Sequence, residues 1–211
     1  HVHALHSAFA AELDREGRPG CAANELCDCV AALFAVTQRL CAAMAAQRGD
    51  AMSVDALTAV TRNAVRCAAS QNREASVCLL KCLTVLTSDA AFAARMRSVL
   101  ATEGGHVAHA LLEGMAGAAP PWVLTEIAKL LYSILKLVGA DAFVQCVRSG
   151  FARSTALGGA SFLRGSAKGR EIFLELIVAK KASDNPTHFK RLCKNLCGGK
   201  KKIGQARKGG T

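Results

Sequence analysis

The sequence predicts an all-α protein built from stacked antiparallel helix pairs, and three observations lead there. Its 51% hydrophobic content is mostly Ala, Leu and Val, whereas aromatics make up 5% and Pro occurs four times. β-Rich architectures therefore lack their usual building material. Apolar residues recur at three- and four-residue spacing in one segment after another. Gly, Pro, Ser and Asn punctuate these segments about every 20 residues, as helix starts and stops do.

The elements follow in order. Residues 4–15 (ALHSAFAAELDR) carry helical spacing and end before Gly17, Pro19 and Gly20. From Ala22 to Gln47 runs a long, largely buried helix with Leu26, Cys29, Val30, Leu33, Phe34, Leu40, Cys41 and Met44 in register, closed by Gly49. Ser53 is an N-cap, with Asp55 in the first turn, for a helix whose stripe is Val54, Leu57, Val60, Ala64 and Cys67, ending near Ser70. Val77, Leu80, Leu83, Val85 and Leu86 mark the next. Ser88 and Asp89 then open a helix through Phe92, Met96, Val99 and Leu100, which Gly104 and Gly105 are expected to interrupt before a short helix from His106 to Met115.

After Pro120 and Pro121 comes the clearest helix, PWVLTEIAKLLYSILKLV, with Val123, Ile127, Leu130, Ile134 and Val138 in one row and Leu124, Leu131 and Leu135 beside it. Gly139 ends it, and Asp141 to Arg153 reads as its partner. The Gly- and Ser-rich stretch at about 154–169 reads as a loop. Helix resumes from Arg170 to Lys180, with Ile172, Phe173, Leu176 and Ile177 facing inward. Asn185 then caps a helix that has Pro186 at its first position and Phe189, Leu192, Cys193 and Leu196 on one face.

The total is about nine helices joined by short connections, which suits a HEAT/armadillo-type right-handed superhelix over residues 1–197. HEAT repeats are degenerate in sequence, so the lack of a crisp repeat signature is compatible with it; a helical bundle is the alternative packing. Residues 198–211 form a basic, Gly-rich tail expected to be disordered.

Charge and cysteine usage bound the function. The formal net charge is +11, but eight of the 27 basic residues follow Asp184 with no acidic residue among them. The part up to Asp184 keeps 19 basic against 16 acidic residues, a net of +3. Basic character therefore belongs to the tail, where Lys200, Lys201, Lys202, Arg207 and Lys208 are the candidate electrostatic contacts. That run suits an acidic partner, phosphate contact or a nuclear-localisation-like patch, or simply a solvated terminus. It lacks interleaved aromatics for base stacking, so nucleic acid is not expected as a partner.

No window is long and apolar enough for a membrane span, since Cys29–Thr37 is closed by Asp28 and Arg39. No leader is apparent, and a chain starting at His1 reads as a fragment. The ten Cys sit inside apolar helical patterns and read as reduced core residues. No metal site is expected: His1, His3 and His6, or His106 and His109, come without an HExxH motif, and no CxxC pair exists. These His are expected to face solvent or to cap. Neither a nucleophile elbow nor a phosphate-binding loop is present; the Gly-rich 157–169 segment follows no strand. The reading is a binding protein without catalytic residues or cofactors, the rivals being an all-helical enzyme with a catalytic Cys or His and a nucleic-acid-associated helical protein acting through the tail.

Two stretches, LLEGMAGAAPPWVLTEIAKLLYSILKLVGADAFVQCV (111–147) and FKRLCKNLCGGKKK (189–202), resemble the C-terminal repeats of karyopherin-β nuclear transport receptors, nearest the transportin-SR and importin-thirteen branch. The matching residues are Pro121, Trp122, Leu124, Glu126, Ile127, Ala128, Leu130, Leu131, Tyr132, Gly139, Ala142 and Phe143, all expected to be packing positions. The resemblance covers about residues 110–202. It implies cargo-binding HEAT repeats of a receptor in Ran-dependent protein import, shuttling between nucleus and cytoplasm. The implied partners are protein cargo, the Ran GTPase through the intact receptor, and nucleoporins. No Ran-binding residue carries over, because the family grips Ran mainly through N-terminal repeats. The wider alternative is another HEAT or armadillo scaffold for protein–protein assembly.

Overall fold

A computed structural model describes residues 2–15, 24–46, 52–67, 73–116, 121–156 and 167–197, so the tail with Lys200, Lys201, Lys202, Arg207 and Lys208 lies outside the described residues. Within them the chain forms α1 Val2–Arg15, α2 Asn24–Ala46, α3 Val54–Cys67, α4 Arg73–Ser88, α5 Ala93–Ala116, α6 Pro121–Val138, α7 Ala140–Ala156, α8 Ala167–Val178, α9 Lys180–Ser183 and α10 Pro186–Cys197. No strand occurs among the described residues. The described residues form ten helices against about nine expected: the single-turn α9 was not foreseen, and two expected helices are joined in α5.

Local signals placed several boundaries. Ser53 Oγ accepts the Ala56 amide at 3.2 Å and caps α3. Asn185 Oδ1 accepts the amides of both Thr187 and His188 at 3.0 Å, ahead of a Pro whose missing N–H costs a first turn nothing. Gly139, at φ +84°, is the only residue between α6 and α7. Its left-handed conformation lets its N–H close on the Leu135 carbonyl at 2.9 Å while the chain turns straight into the next helix.

The expected break at Gly104 and Gly105 is not there: α5 runs unbroken from Ala93 to Ala116. The glycines serve packing instead. A Cβ on Gly104 would lie 2.5 Å from Cys146 Sγ, and one on Gly105 would lie 2.8 Å from Ser149 Cβ. On the facing helix, a Cβ on Gly150 would lie 2.8 Å from the His109 backbone nitrogen. Removing side chains on both surfaces lets α5 and α7 approach closely, and this is the most extensive contact among the described helices. The usual helix penalty of Gly, about 1 kcal/mol each relative to Ala, is offset by that contact.

From α1 to α7 each helix packs most heavily on one two places away in the chain: α1 on α3, α3 on α5, α5 on α7, and α2 on α4, α4 on α6; after them α10 packs on α6, while α8 and α9 make only lighter contacts. The helices thus fall into an α1–α3–α5–α7 layer and an α2–α4–α6–α10 layer, joined by lighter contacts between sequence neighbours. One apolar cluster runs through both, from Val30 and Phe34 to Phe189 and Cys193. At its C-terminal end Phe189 meets Tyr132 at 5.3 Å and Phe143 at 6.4 Å between ring centroids, both edge-on, while Phe151 meets Phe173 at 6.3 Å. Tyr132 donates its hydroxyl to the Ser183 carbonyl at 3.1 Å, tying α9 to α6.

Burial corrects several facial expectations. In α8 the inward residues are Phe173, Leu174 and Ile177, and Leu176 is 42% exposed. Of the residues carrying the family resemblance, Ile127, Ala128, Leu130, Leu131 and Phe143 are buried, but Trp122 is 46% exposed and Pro121, Gly139 and Ala142 also face outward. Val54 and Leu40, expected in buried stripes, are exposed as well. The α7 helix reaches Ala156 and α8 begins at Ala167, so only the middle of the expected 154–169 loop, at 157–166, lies outside the described residues.

Candidate functional site

Two grooves lie between neighbouring helices of the α1–α3–α5–α7 layer. The larger, about 480 Å³, runs along the α5–α7 crossing. Leu100, Val138 and Ala142 are among its apolar lining residues; Thr102, Gln145 and Ser149 line it too, with Arg97 and Arg153 also present and no carboxylate among the lining residues. Arg97 Nε donates to the Leu137 carbonyl at the end of α6, at 2.9 Å, which holds its guanidinium in place. Arg153 Nε comes within 3.6 Å of where a Gly105 Cβ would sit. Gly105, beside which Arg153 lies, is about two helical turns along α5 from Arg97, so the two arginines enter the groove from different turns.

The Cys146 thiol lines the same groove, 3.9 Å from the Leu100 carbonyl. Burial raises its pKa above the ordinary thiol value. A reactive thiolate is favoured by the opposite shift.

The second groove, about 420 Å³, lies between α1 and α3 and is lined by His3, Ser7, Asp55, Arg62 and Arg66, with His6 and Asn63 in its floor. His6 was expected to face solvent or cap; instead it is fully buried. Asn63 Nδ2 reaches His6 Nδ1 at 3.2 Å and the His6 carbonyl at 2.7 Å, and His6 Nε2 meets Thr37 Oγ1 at 2.9 Å. Thr37 Oγ1 donates onward to the Leu33 carbonyl at 2.8 Å. This network assigns the proton to Nε2 and leaves Nδ1 as an acceptor. Burial lowers the His6 pKa to about 4, so the ring is neutral at physiological pH.

Between the grooves, Arg62 holds Glu103 at 2.8 Å across α3 and α5, and His106 Nδ1 lies 3.2 Å from the other Glu103 oxygen. His109 Nδ1 is buried with no hydrogen-bond partner among the described residues. No group of three or more His, Cys, Asp or Glu among the described residues is arranged to hold a metal ion. None of the described helices is long and apolar enough to cross a membrane.

The candidate contacts named from the sequence fall outside the described residues, so the structure adds a surface that sequence reasoning missed. Its signal was present in the glycines at 104, 105 and 150, whose small size at matched positions foretells a close crossing. Reading Gly104 and Gly105 as punctuation hid it. No family model, characterised protein or solved structure matches the chain at a significant level.

Proposed function

We propose that this chain is part of a HEAT-type helical-repeat scaffold that binds protein partners on its α1–α3–α5–α7 layer, with the α5–α7 groove taking an acidic segment. The observation that carries this reading is the packing of each helix from α1 to α7 on one two places away, an arrangement that stacked helix pairs use to build an extended surface. The groove supports the choice of ligand: apolar residues, hydroxyl and amide groups, and two arginines without a carboxylate among them. Carboxylates of such a segment pair with Arg97 and Arg153 by charge-assisted hydrogen bonds.

The resemblance of residues 111–147 to karyopherin-β receptors favours a specific form of this reading, in which the partner is cargo carried between cytoplasm and nucleus under control of Ran. Those residues include the end of α5, all of α6 and the first half of α7, and α5 and α7 both line the groove. Partner binding by the receptor containing this segment, measured with and without GTP-loaded Ran, tests it. Release by Ran supports import; binding indifferent to Ran removes import and leaves a scaffold of another kind.

A further inference from the structure

We infer that the open end of the two layers, formed by α1 and α2, is a dimerisation surface on which a second copy of this chain docks about a two-fold axis. Among the described residues α1 packs chiefly on α3 and α2 chiefly on α4, so each has one flank towards its layer and one at the end of the stack. His3 and Ser7 line the groove between α1 and α3. Two positions along a helix are a rotation of about 200°, so Leu5, two places from each of them, faces away from α3, with Ala8 one turn further on. On α2 the buried row is Val30, Phe34, Thr37 and Cys41. Ala31, Ala35 and Gln38 on one flank of that row are half-buried, whereas Ala32, Val36, Leu40 and Ala43 on the other are exposed. His6 bonds to Thr37 and stands edge-on to Phe34, holding α1 against α2 so that the two open flanks adjoin. Leu5, Val36 and Leu40 are each at least 41% exposed, and they are three of the six large apolar side chains that the described residues leave exposed. Half of that exposure is therefore gathered on one helix pair.

The occupant follows from continuity, chemistry and size. The face continues the stacking direction by which α1 already meets α3 and α2 meets α4, so what fits it is another helix pair with an apolar flank. It carries no carboxylate, and its one cation, Arg39, stands at the rim. Nothing in it calls for a partner of opposite charge, and its Leu and Val side chains alternate with Ala positions that can receive the same side chains from an identical face. The other end of the molecule is unlike it: the exposed residues of α8, α9 and α10 include Glu171, Glu175, Lys181, Arg191 and Lys194, with Leu176 the only large apolar one. Head-to-tail stacking would set an apolar face on a charged one, so like meets like and the assembly closes at two copies. Helices about 34 and 21 Å long and about 10 Å wide present about 550 Å², so the pair buries roughly 1,100 Å² in total, at the lower end of specific interfaces. This inference is independent of the partner proposed for the α5–α7 groove.

The mass of the full chain is followed by light scattering and sedimentation equilibrium between about 1 and 100 µM, in about 0.1 M and about 0.5 M salt. The expected result is 22.1 kDa at the dilute end, rising to twice that value and stopping there, with a dissociation constant on the order of 10 µM that the added salt does not weaken. Val36→Glu with Leu40→Glu places two carboxylates in the contact and is expected to weaken association roughly a hundredfold, leaving the mass at 22.1 kDa over most of the range. Its circular dichroism should be unchanged, because both side chains are exposed within one copy. Leu5→Glu, on the other helix of the face, is expected to weaken association roughly tenfold and gives the readout if the double variant fails to fold. A chain that stays at 22.1 kDa across the range overturns the proposal and leaves the face to a helix pair of another protein. A dimer that survives in the folded variants, one that salt dissociates, or a mass that climbs past two copies overturns it as well.

Discussion

His6 shows how one side chain is assigned its role by its neighbours. A protonated imidazole loses the Nδ1 acceptor that Asn63 uses and brings charge into a fully buried position against the edge of Phe34. The unfolded imidazole takes a proton near pH 6.5, the folded one only near 4. Between those values the unfolded chain binds more protons, so the stability His6 confers is complete above about pH 6.5, falls as pH drops towards 4, and levels off below. The loss amounts to at most about 3 kcal/mol. Urea titrations across pH 4–7 are expected to show this slope, and His6→Ala to flatten it while lowering stability at pH 7 by about 2–4 kcal/mol through the cavity and the orphaned Asn63. A pH-independent difference between the two proteins would show that the ring is not held neutral. Gly139 is the opposite case, because its role was legible from sequence. Nothing lies within 4 Å of an added Cβ there, so Gly139→Ala should cost only the left-handed backbone penalty, about 1 kcal/mol in thermal unfolding.

At the level of elements, the sequence announces helices more faithfully than their faces. Periodicity placed α2, α3, α6, α7 and α10 within a few residues, and the Ser53 and Asn185 caps were readable because the capping residue acts on amides of its own first turn. Gly104 and Gly105 misled because their reason is non-local: what they touch lies some 40 residues away on α7. The exposed Trp122 and Leu176 share that cause, since which side of a helix is covered depends on partners that periodicity does not name.

The α5–α7 crossing makes a graded prediction. Gly150→Ala pushes a methyl against the α5 backbone, which cannot swing aside, and is expected to destabilise by about 1–3 kcal/mol. Gly104→Ala meets only the Cys146 side chain, so Cys146→Ala is expected to relieve it. In chemical denaturation, Gly104→Ala with Cys146→Ala should be more stable than the sum of the two single changes predicts; simple additivity would mean the helices are not in contact there.

For the whole molecule, all-helical architecture followed from composition and period, but the order of packing did not. The alternation that puts α1, α3, α5 and α7 in one layer and α2, α4, α6 and α10 in the other depends on contacts between helices separated by an intervening element. The candidate site was hidden for the same reason: Arg97 and Arg153 are 56 positions apart in the chain and are brought to one groove only by the glycine-lined crossing. Net charge pointed instead to the tail, because a sum over the chain weighs clustered lysines above two arginines placed by folding. The account stands most directly on charge reversal in that groove. Affinity capture with the chain and with its Arg97→Glu, Arg153→Glu form, quantified by mass spectrometry at fixed salt, is expected to show partners with acidic segments bound by the first and depleted roughly tenfold or more by the second. Circular dichroism of the two proteins should be the same, since both arginines are exposed. Equal capture of the same partners by the folded double variant would contradict the assignment of the α5–α7 groove as the binding surface.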